Sequence, residues 1–252
     1  ICPVIVTRSS DQSNIMSEEL SSSYKTRQDS NAQQAVTRSY FNFLLHLAQT
    51  VPDGIVCFFT GYRYMGEVLL EWNQSGFMTE LSKHKLIFIE TQGVEETSQA
   101  LLHYRRACDI GRGAIFISIA RGKIAEGIDF DRHYGRAVVM FGVPFLPPND
   151  RALEERLKWM EQCLQIPDSE FRNFDAMRQA SQCIGRVLRN KTDYGMMLLV
   201  DRRFALQDKR RKLPVWIQQC LKDRANLRTD AAVSVAFSDD GALLACGGND
   251  GV

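Results

Sequence analysis

The chain of 252 residues balances 31 Lys and Arg against 30 Asp and Glu for a net charge of +1, with 44% hydrophobic and 24% charged residues. That is ordinary globular composition with material for a sizeable core, and it excludes attachment to nucleic acid or membrane through bulk charge. Any contact with a polyanion has to come from local patches. The seven cysteines and four histidines form no CxxC pair and no ligand-spaced cluster. Reduced core thiols are therefore expected, rather than disulfides, zinc or an iron–sulfur cluster. No apolar run approaches the roughly 20 residues of a membrane span. The opening ICPVIVTRSS lacks the charged-then-apolar order of a signal peptide. A soluble protein is expected, and the first residue, Ile1, suggests a piece of a longer chain.

In chain order, PVIVTR reads as a short strand, and the Ser-rich stretch from Ser9 to about Gln34 as a loop. A helix is predicted over 33–50. GIVCFFT at 54–60 and KLIFIE at 85–90 are continuous apolar runs of the kind that form fully buried strands, each followed by a helical segment. GAIFISIA at 113–120 and RAVVMFGVP at 136–144 add two more strands, separated by a glycine-marked loop. Helices are predicted at about 149–163 and 173–189, and YGMMLLVD at 194–201 supplies a further strand. This alternation predicts an α/β fold, a parallel sheet covered by helices on both faces. Ligands of such sheets sit at the carboxyl ends of the strands. The informative segments are thus the loops after Thr60, Ala120 and Gly142, and the helix before the last strand.

The loop after Ala120 belongs to ARGKIAEGIDF, residues 120–130. Gly122 and Gly127 remove side chains where a backbone could approach a phosphate, and Arg121 and Lys123 bring positive charge to the same place. Glu126 and Asp129 suit a ribose hydroxyl or the orientation of a water. The same residues also read as a mixed-charge surface loop. A P-loop is excluded, because Ile117 and Ile124 stand where that pattern needs Gly and Ser or Thr.

In QCIGRVLRN, residues 182–190, the side chains of Cys183, Ile184, Val187 and Leu188 would bury one side of a helix. Gln182, Arg186 and Arg189 would line up on the other, with Gly185 beside them. Two arginines three apart can reach one polyphosphate through their planar forks. An arginine brought to a γ-phosphate from outside its cradle stabilises transition-state charge. The alternative is a solvated helix face.

These segments resemble superfamily 2 helicases. QCIGRVLRNKTDYG resembles their motif VI, Q-x-x-G-R-x-x-R, ARGKIAEGIDF resembles motif V, and DGIVCFFTGY at 53–62 is similar to motif IV. GRAVVMFGVPF, FDAMRQASQCIGR, DRRFALQDKRRKLPVWIQ and KLIFIETQ narrow the resemblance to iron–sulfur DNA helicases of the XPD type, from about Cys2 to about Asn226. The resemblance implies that residues 1–226 are the second, RecA-like motor domain of an ATP-dependent helicase moving 5′ to 3′ on single-stranded DNA. It implies work in nucleotide excision repair and transcription initiation as part of TFIIH, in the nucleus. Catalytic roles are implied for Arg186 and Arg189, reaching the γ-phosphate, and for Gln182 near the nucleotide. Nucleotide contacts are implied for Gly127, Asp129, Glu126 and Gly185, and DNA contacts for Thr60, Tyr62, Arg121 and Lys123. The implied cofactors are ATP and Mg, bound mainly by the first motor domain, and an iron–sulfur cluster in the full protein but not in this chain. The implied partners are single-stranded DNA, that first domain and TFIIH subunits, with no membrane.

The departures from the family shape this expectation. The P-loop, the D-E-x-H box and the iron–sulfur cysteines are absent from the chain, so the fragment alone is expected to be inactive. Ser9 stands where family members usually have glycine, and SSSYKTRQDSNAQQ is longer than usual. The competing functional class is a truncated, non-catalytic module that docks on TFIIH partners or binds DNA weakly. The tail at 227–252 contains VSVAFSDDGALLACGGNDGV, which resembles the first half of a WD40 propeller blade or else is a wrongly joined end. Half a blade cannot bury its own face, so poor order is expected after about Asp230. DKRRK at 208–212 reads as a solvated face, a nuclear-import patch or a DNA contact. Trp72, Trp159 and Trp216 are expected in core or interface packing, and Asp193 and Asp201 at turns. Arg202 and Arg203 are expected to help hold a partner subunit.

Overall fold

The computed structural model describes residues 2–8, 19–147, 150–187, 193–221, 227–228, 235–237 and 243–246. In chain order, β1 (Cys2–Arg8) is followed by α1 (Tyr24–Gln28), α2 (Ser30–Thr50), β2 (Gly54–Phe59), α3 (Tyr62–Gln74), α4 (Phe77–His84) and β3 (Leu86–Ile89). The chain continues through α5 (Val94–Asp109), β4 (Ala114–Ile119), α6 (Lys123–Gly127), β5 (Ala137–Phe141), α7 (Arg151–Leu164) and α8 (Asp168–Ile184). Then come β6 (Met196–Val200), α9 (Gln207–Arg210), α10 (Val215–Cys220) and three short strands, β7 (Leu227–Arg228), β8 (Val235–Phe237) and β9 (Leu243–Cys246).

Seven strands form one sheet in the order β3-β4-β2-β5-β6-β1-β7, and every pairing in it is parallel. Period-two alternation sends neighbouring residues of each strand to opposite faces. Ile55, Cys57 and Phe59 of β2 pack with α2, α3 and α4 through Phe41, Leu44, Val68, Trp72 and Leu81. Val56 and Phe58 pack on the other face with α5 and α8 through Tyr104, Cys108, Ala176 and Ala180. Two-sided burial is why these strands read as unbroken apolar runs. The expected α/β class is the observed one. In the tail, β8 and β9 pair antiparallel, Val235 opposite Cys246, while β7 joins the main sheet beside β1.

Two expectations need correction. The stretch read as a loop up to Gln34 holds α1 and the start of α2. The caps set these boundaries: the Ser23 hydroxyl accepts from the Thr26 amide at 3.3 Å, and Asp29 accepts from the amides of Asn31 and Ala32 at 3.0 and 3.3 Å. The helix expected at 173–189 runs instead from Asp168 to Ile184, then tightens into a 3-10 turn over Gly185–Val187. That tightening lets the Arg186 carbonyl accept the Phe130 amide at 3.1 Å. Trp72 is in the core, its indole donating to the Thr37 carbonyl at 3.0 Å, whereas Trp159 and Trp216, 56% and 41% exposed, lie outside the core of this chain. The reason for Trp159 is that α7 buries Leu157 alone. The thiols of Cys57, Cys108 and Cys183 are free and buried, while those of Cys163 and Cys220 are free and exposed.

At the amino-terminal edge of the sheet, Gly54 is fixed by space. A Cβ there would lie 2.3 Å from the Tyr134 carbonyl oxygen and 2.4 Å from the Tyr104 hydroxyl, which are bonded to each other at 2.5 Å. Gly54→Ala is expected to lower stability by about 1–3 kcal/mol, read from the urea midpoint at unchanged slope. Beside it, the 4% exposed Lys85 donates to the Asp53 carbonyl at 2.8 Å, and burial pushes its pKa down to about 8. Between that value and the ordinary lysine value the unfolded chain binds the extra proton, so Lys85 costs stability below pH 8 and the cost fades as pH rises. Lys85→Met is expected to gain on the order of 1–3 kcal/mol over the parent at pH 7. The gain should shrink by pH 10, and a pH-independent difference would contradict this account.

Candidate nucleotide and nucleic-acid site

The parallel sheet releases all its strands at one edge, and the predicted site residues sit there. Thr60 and Tyr62 follow β2, Arg121 and Lys123 follow β4, and Arg186 follows α8. Arg189 lies outside the described residues.

The centre of this edge is a grip between α8 and the segment 120–130. Asp175, Gln179 and Cys183 recur every four residues and so share one helix face. Asp175 accepts from Arg121 Nη2 at 2.5 Å and from Arg178 Nη2 at 2.9 Å. Burial raises the Asp175 pKa, but the bonds from Arg178 and Arg121 outweigh it and hold the carboxyl below its usual range. Arg121 also donates to the Pro144 carbonyl at 2.9 Å. The Gln179 amide and the Cys183 thiol both donate to the Ala120 carbonyl. Beyond the helix end, Arg186 donates through Nε to the Ala125 carbonyl and through Nη2 to the Glu126 carbonyl, both at 2.9 Å. Its Nη1 reaches Asp129 Oδ1 at 3.2 Å. Three of the five N–H groups of the guanidinium are thereby held, and among the described residues the other two have no partner.

The helix carrying Gln182 ends at Ile184, and Arg186 stands in the 3-10 turn that follows. Gln182 faces a depression of about 320 Å³ shared with Phe174, Arg178, Ser181, Lys212, Pro214 and Trp216. Arg186 instead joins Glu126, Asp129 and the end of α6. Gly127 and Gly185 each have open space where a side chain would be. Gly122 does not: a Cβ there would lie 2.5 and 2.7 Å from the two carboxylate oxygens of Glu90. The room read as space for a phosphate is filled by a protein carboxylate.

Glu90, immediately after β3, went unnoticed in the sequence, although a lone charge closing an apolar run was a usable signal. It is 1% exposed. Its Oε1 accepts from the Tyr62 hydroxyl and the Lys123 amide, each at 3.1 Å, and its Oε2 from the Ser118 hydroxyl at 2.5 Å and the Ile119 amide at 3.3 Å. Burial first, and the Glu90 charge second, push the Tyr62 pKa up to about 12, so it is a phenol at neutral pH. Lys123 extends its ammonium to the Gln92 carbonyl at 2.7 Å.

Across the edge, the fully buried Asp201 accepts from the Ser22 amide and hydroxyl and from Arg203 Nε and Nη2 at 2.7–3.2 Å. It fixes a turn as expected, through the Arg203 amide at 2.9 Å. Arg27 stacks over Tyr64 at 4.2 Å and donates to Thr60 Oγ1 at 3.4 Å. Beside Asp201, Thr7, Arg8, Glu19, Arg202 and Arg203 line a hollow of about 300 Å³ in which Arg202 pairs with Glu19. This edge can hold an anion through arginines, but the described residues offer no cluster of three metal-ligating side chains.

Comparison with known proteins agrees with this geometry. Residues 44–220 match the helicase C-terminal domain family. The chain is 50% identical over 94% of its length to the General transcription and DNA repair factor IIH helicase subunit XPD of Arabidopsis thaliana, and 46% identical over 94% to that of Dictyostelium discoideum. It spans 30% and 29% of those two relatives. A solved structure named XPD_Helicase superposes with a TM-score of 0.59 at 20% identity, covering 90% of this chain and 35% of the other, and shares its fold. With the matched segment running from within α2 to the end of α10, the chain belongs to the helicase C-terminal domain family, and its parallel sheet has the RecA-like fold of that solved structure.

Proposed function

We propose that this chain acts as the second motor domain of an ATP-dependent DNA helicase of the XPD type, moving 5′ to 3′ and working in nucleotide excision repair and transcription initiation with TFIIH subunits in the nucleus. The observation that carries the reading is the grip of α8 on the segment 120–130, with Arg186 bonded three times to it. A motor domain of this kind must turn a change at the nucleotide into a displacement along DNA. A loop bonded at six positions to the helix and terminal turn that present the arginine meets that need.

In this reading ATP and Mg lie on the first motor domain, which supplies the P-loop and D-E-x-H box, and the iron–sulfur cluster lies outside this chain as well. Arg186 presents its two remaining N–H groups to the γ-phosphate, and Arg189 acts on the same phosphate. Asp129 and the carbonyls of Ala125 and Glu126 hold the Arg186 fork in orientation, so that little side-chain freedom is lost when phosphate arrives. Gln182 lies near the nucleotide, and Gly127 and Gly185 let backbone approach it. Thr60, Tyr62, Lys123 and Arg121 contact the DNA backbone, where phosphate charge dominates affinity. Arg121 does so while holding Asp175, so its charge is only partly available.

Two measurements test this. Peptide mass spectrometry of the native protein should recover a P-loop and a D-E-x-H box in the same polypeptide, whereas a native mass near 28.7 kDa would favour a docking module. In the complete helicase, Arg186→Ala and Arg189→Ala are each expected to cut ATP turnover by about 10³-fold or more. Single-strand DNA binding should survive, and normal turnover in both variants would refute the arginine assignment.

A further inference from the structure

Glu90 is a buried carboxylate with an unusual set of partners. Among the described residues no Lys or Arg side chain pairs with it, and the ammonium of the neighbouring Lys123 is bonded to the Gln92 carbonyl. Its charge is met by four neutral donors from three elements: the Tyr62 hydroxyl at the start of α3, the Ser118 hydroxyl and Ile119 amide at the end of β4, and the Lys123 amide at the start of α6. A buried charge is a poor way to gain stability, since an apolar residue of similar volume commonly serves as well. What the carboxylate supplies is a fixed geometry between groups far apart in sequence. Ser118 and Ile119 belong to a buried central strand, whereas Tyr62 and Lys123 lead into the two segments at the ligand edge. Tyr62 and Lys123 share a single oxygen, Oε1, so a shift of either changes the bond available to the other.

We propose that Glu90 is a positioning residue that makes the start of α3 and the 120–130 turn move as one unit, so that DNA contact at Tyr62 is transmitted to the nucleotide side of the domain. The proposal rests on the helicase reading above. Glu90 touches neither nucleotide nor DNA, and acts through Tyr62 and the backbone of Lys123. Glu90→Gln keeps the volume but leaves one acceptor oxygen for the two donor pairs, so either Tyr62 with Lys123 or Ser118 with Ile119 faces an amide nitrogen and the tie between strand and loops is loosened.

The test uses the complete helicase and reads the ratio of ATP hydrolysis at saturating single-stranded DNA to hydrolysis without DNA in the same preparation, a ratio that an inactive fraction cannot alter. Glu90→Gln is expected to lower this ratio by about tenfold, equivalent to about 1.4 kcal/mol of lost coupling. Tyr62→Phe keeps the buried carboxylate and its other three donors, and should lower the ratio even when DNA is saturating. As a DNA contact alone, Tyr62 would change only the DNA concentration needed for half-maximal rate. The double variant should be no worse than Glu90→Gln, because both changes cut the same link. A Glu90→Gln ratio within about twofold of the parent, or singles whose losses multiply in the double, overturns the proposal. If Glu90→Gln does not fold, Tyr62→Phe decides, and a parental ratio at saturating DNA overturns the link. A parent protein without DNA-stimulated hydrolysis overturns the helicase reading and this proposal with it.

Discussion

Burial of a parallel sheet on both faces is the constraint from which the site follows. Because every strand of the main sheet runs the same way, the chain leaves the core at one edge after each of β1 to β6, at Arg8, Phe59, Ile89, Ile119, Phe141 and Val200. The groups released there are the polar ones that an apolar core cannot hold. Two of them, Glu90 and Asp201, stay fully desolvated and collect donors from other elements. A loop tied to a buried carboxylate is positioned by the core and not only by its own turn. Glu90 does this for the 120–130 turn, and Asp201 for Ser22 and Arg203.

The second consequence is that the segments resembling motifs V and VI are one mechanical object. Between Asp175 and Arg186, α8 and its terminal turn contact the 120–130 segment through side chains at near-regular helical spacing, and Phe130 returns the contact to the Arg186 carbonyl. Several bonds of modest individual strength act together here, so the arginine fork is oriented before any ligand arrives. In the proposed motor this removes part of the entropic cost of engaging a phosphate.

Much of the fold was legible because its signal is periodic and local. The runs GIVCFFT, GAIFISIA and RAVVMFGVP are strands for the reason that makes them apolar throughout. Helix ends were less legible, since a single capping side chain such as Asp29 moves a boundary by several residues, and since the end of α8 is set by a bond to Phe130, far away in sequence. The candidate site was located through the rule that ligands gather at the carboxyl ends of parallel strands, and Thr60, Tyr62, Lys123 and Arg121 all lie there. Their partners could not be read, because they are remote in sequence: Tyr62 with Glu90 is separated by 28 residues and Gln179 with Ala120 by 59. The reading of Gln182, Arg186 and Arg189 assumed a continuous helix, whereas α8 ends at Ile184 and a 3-10 turn follows.

Gly122 shows what this means for sequence change. Its backbone, at φ −94° and ψ 174°, is open to any residue, so its lack of a side chain is not demanded by its own torsions. It is demanded by Glu90, whose carboxylate occupies the volume a Cβ would take, and by Ile119, whose Cγ1 lies 2.8 Å from the same point. Positions 90 and 122 are therefore coupled: a side chain at 122 requires both the carboxylate at 90 and the Ile119 side chain to give way. A glycine that looks like a hinge in the sequence is in fact a tight joint, and the freedom it represents belongs to its neighbour.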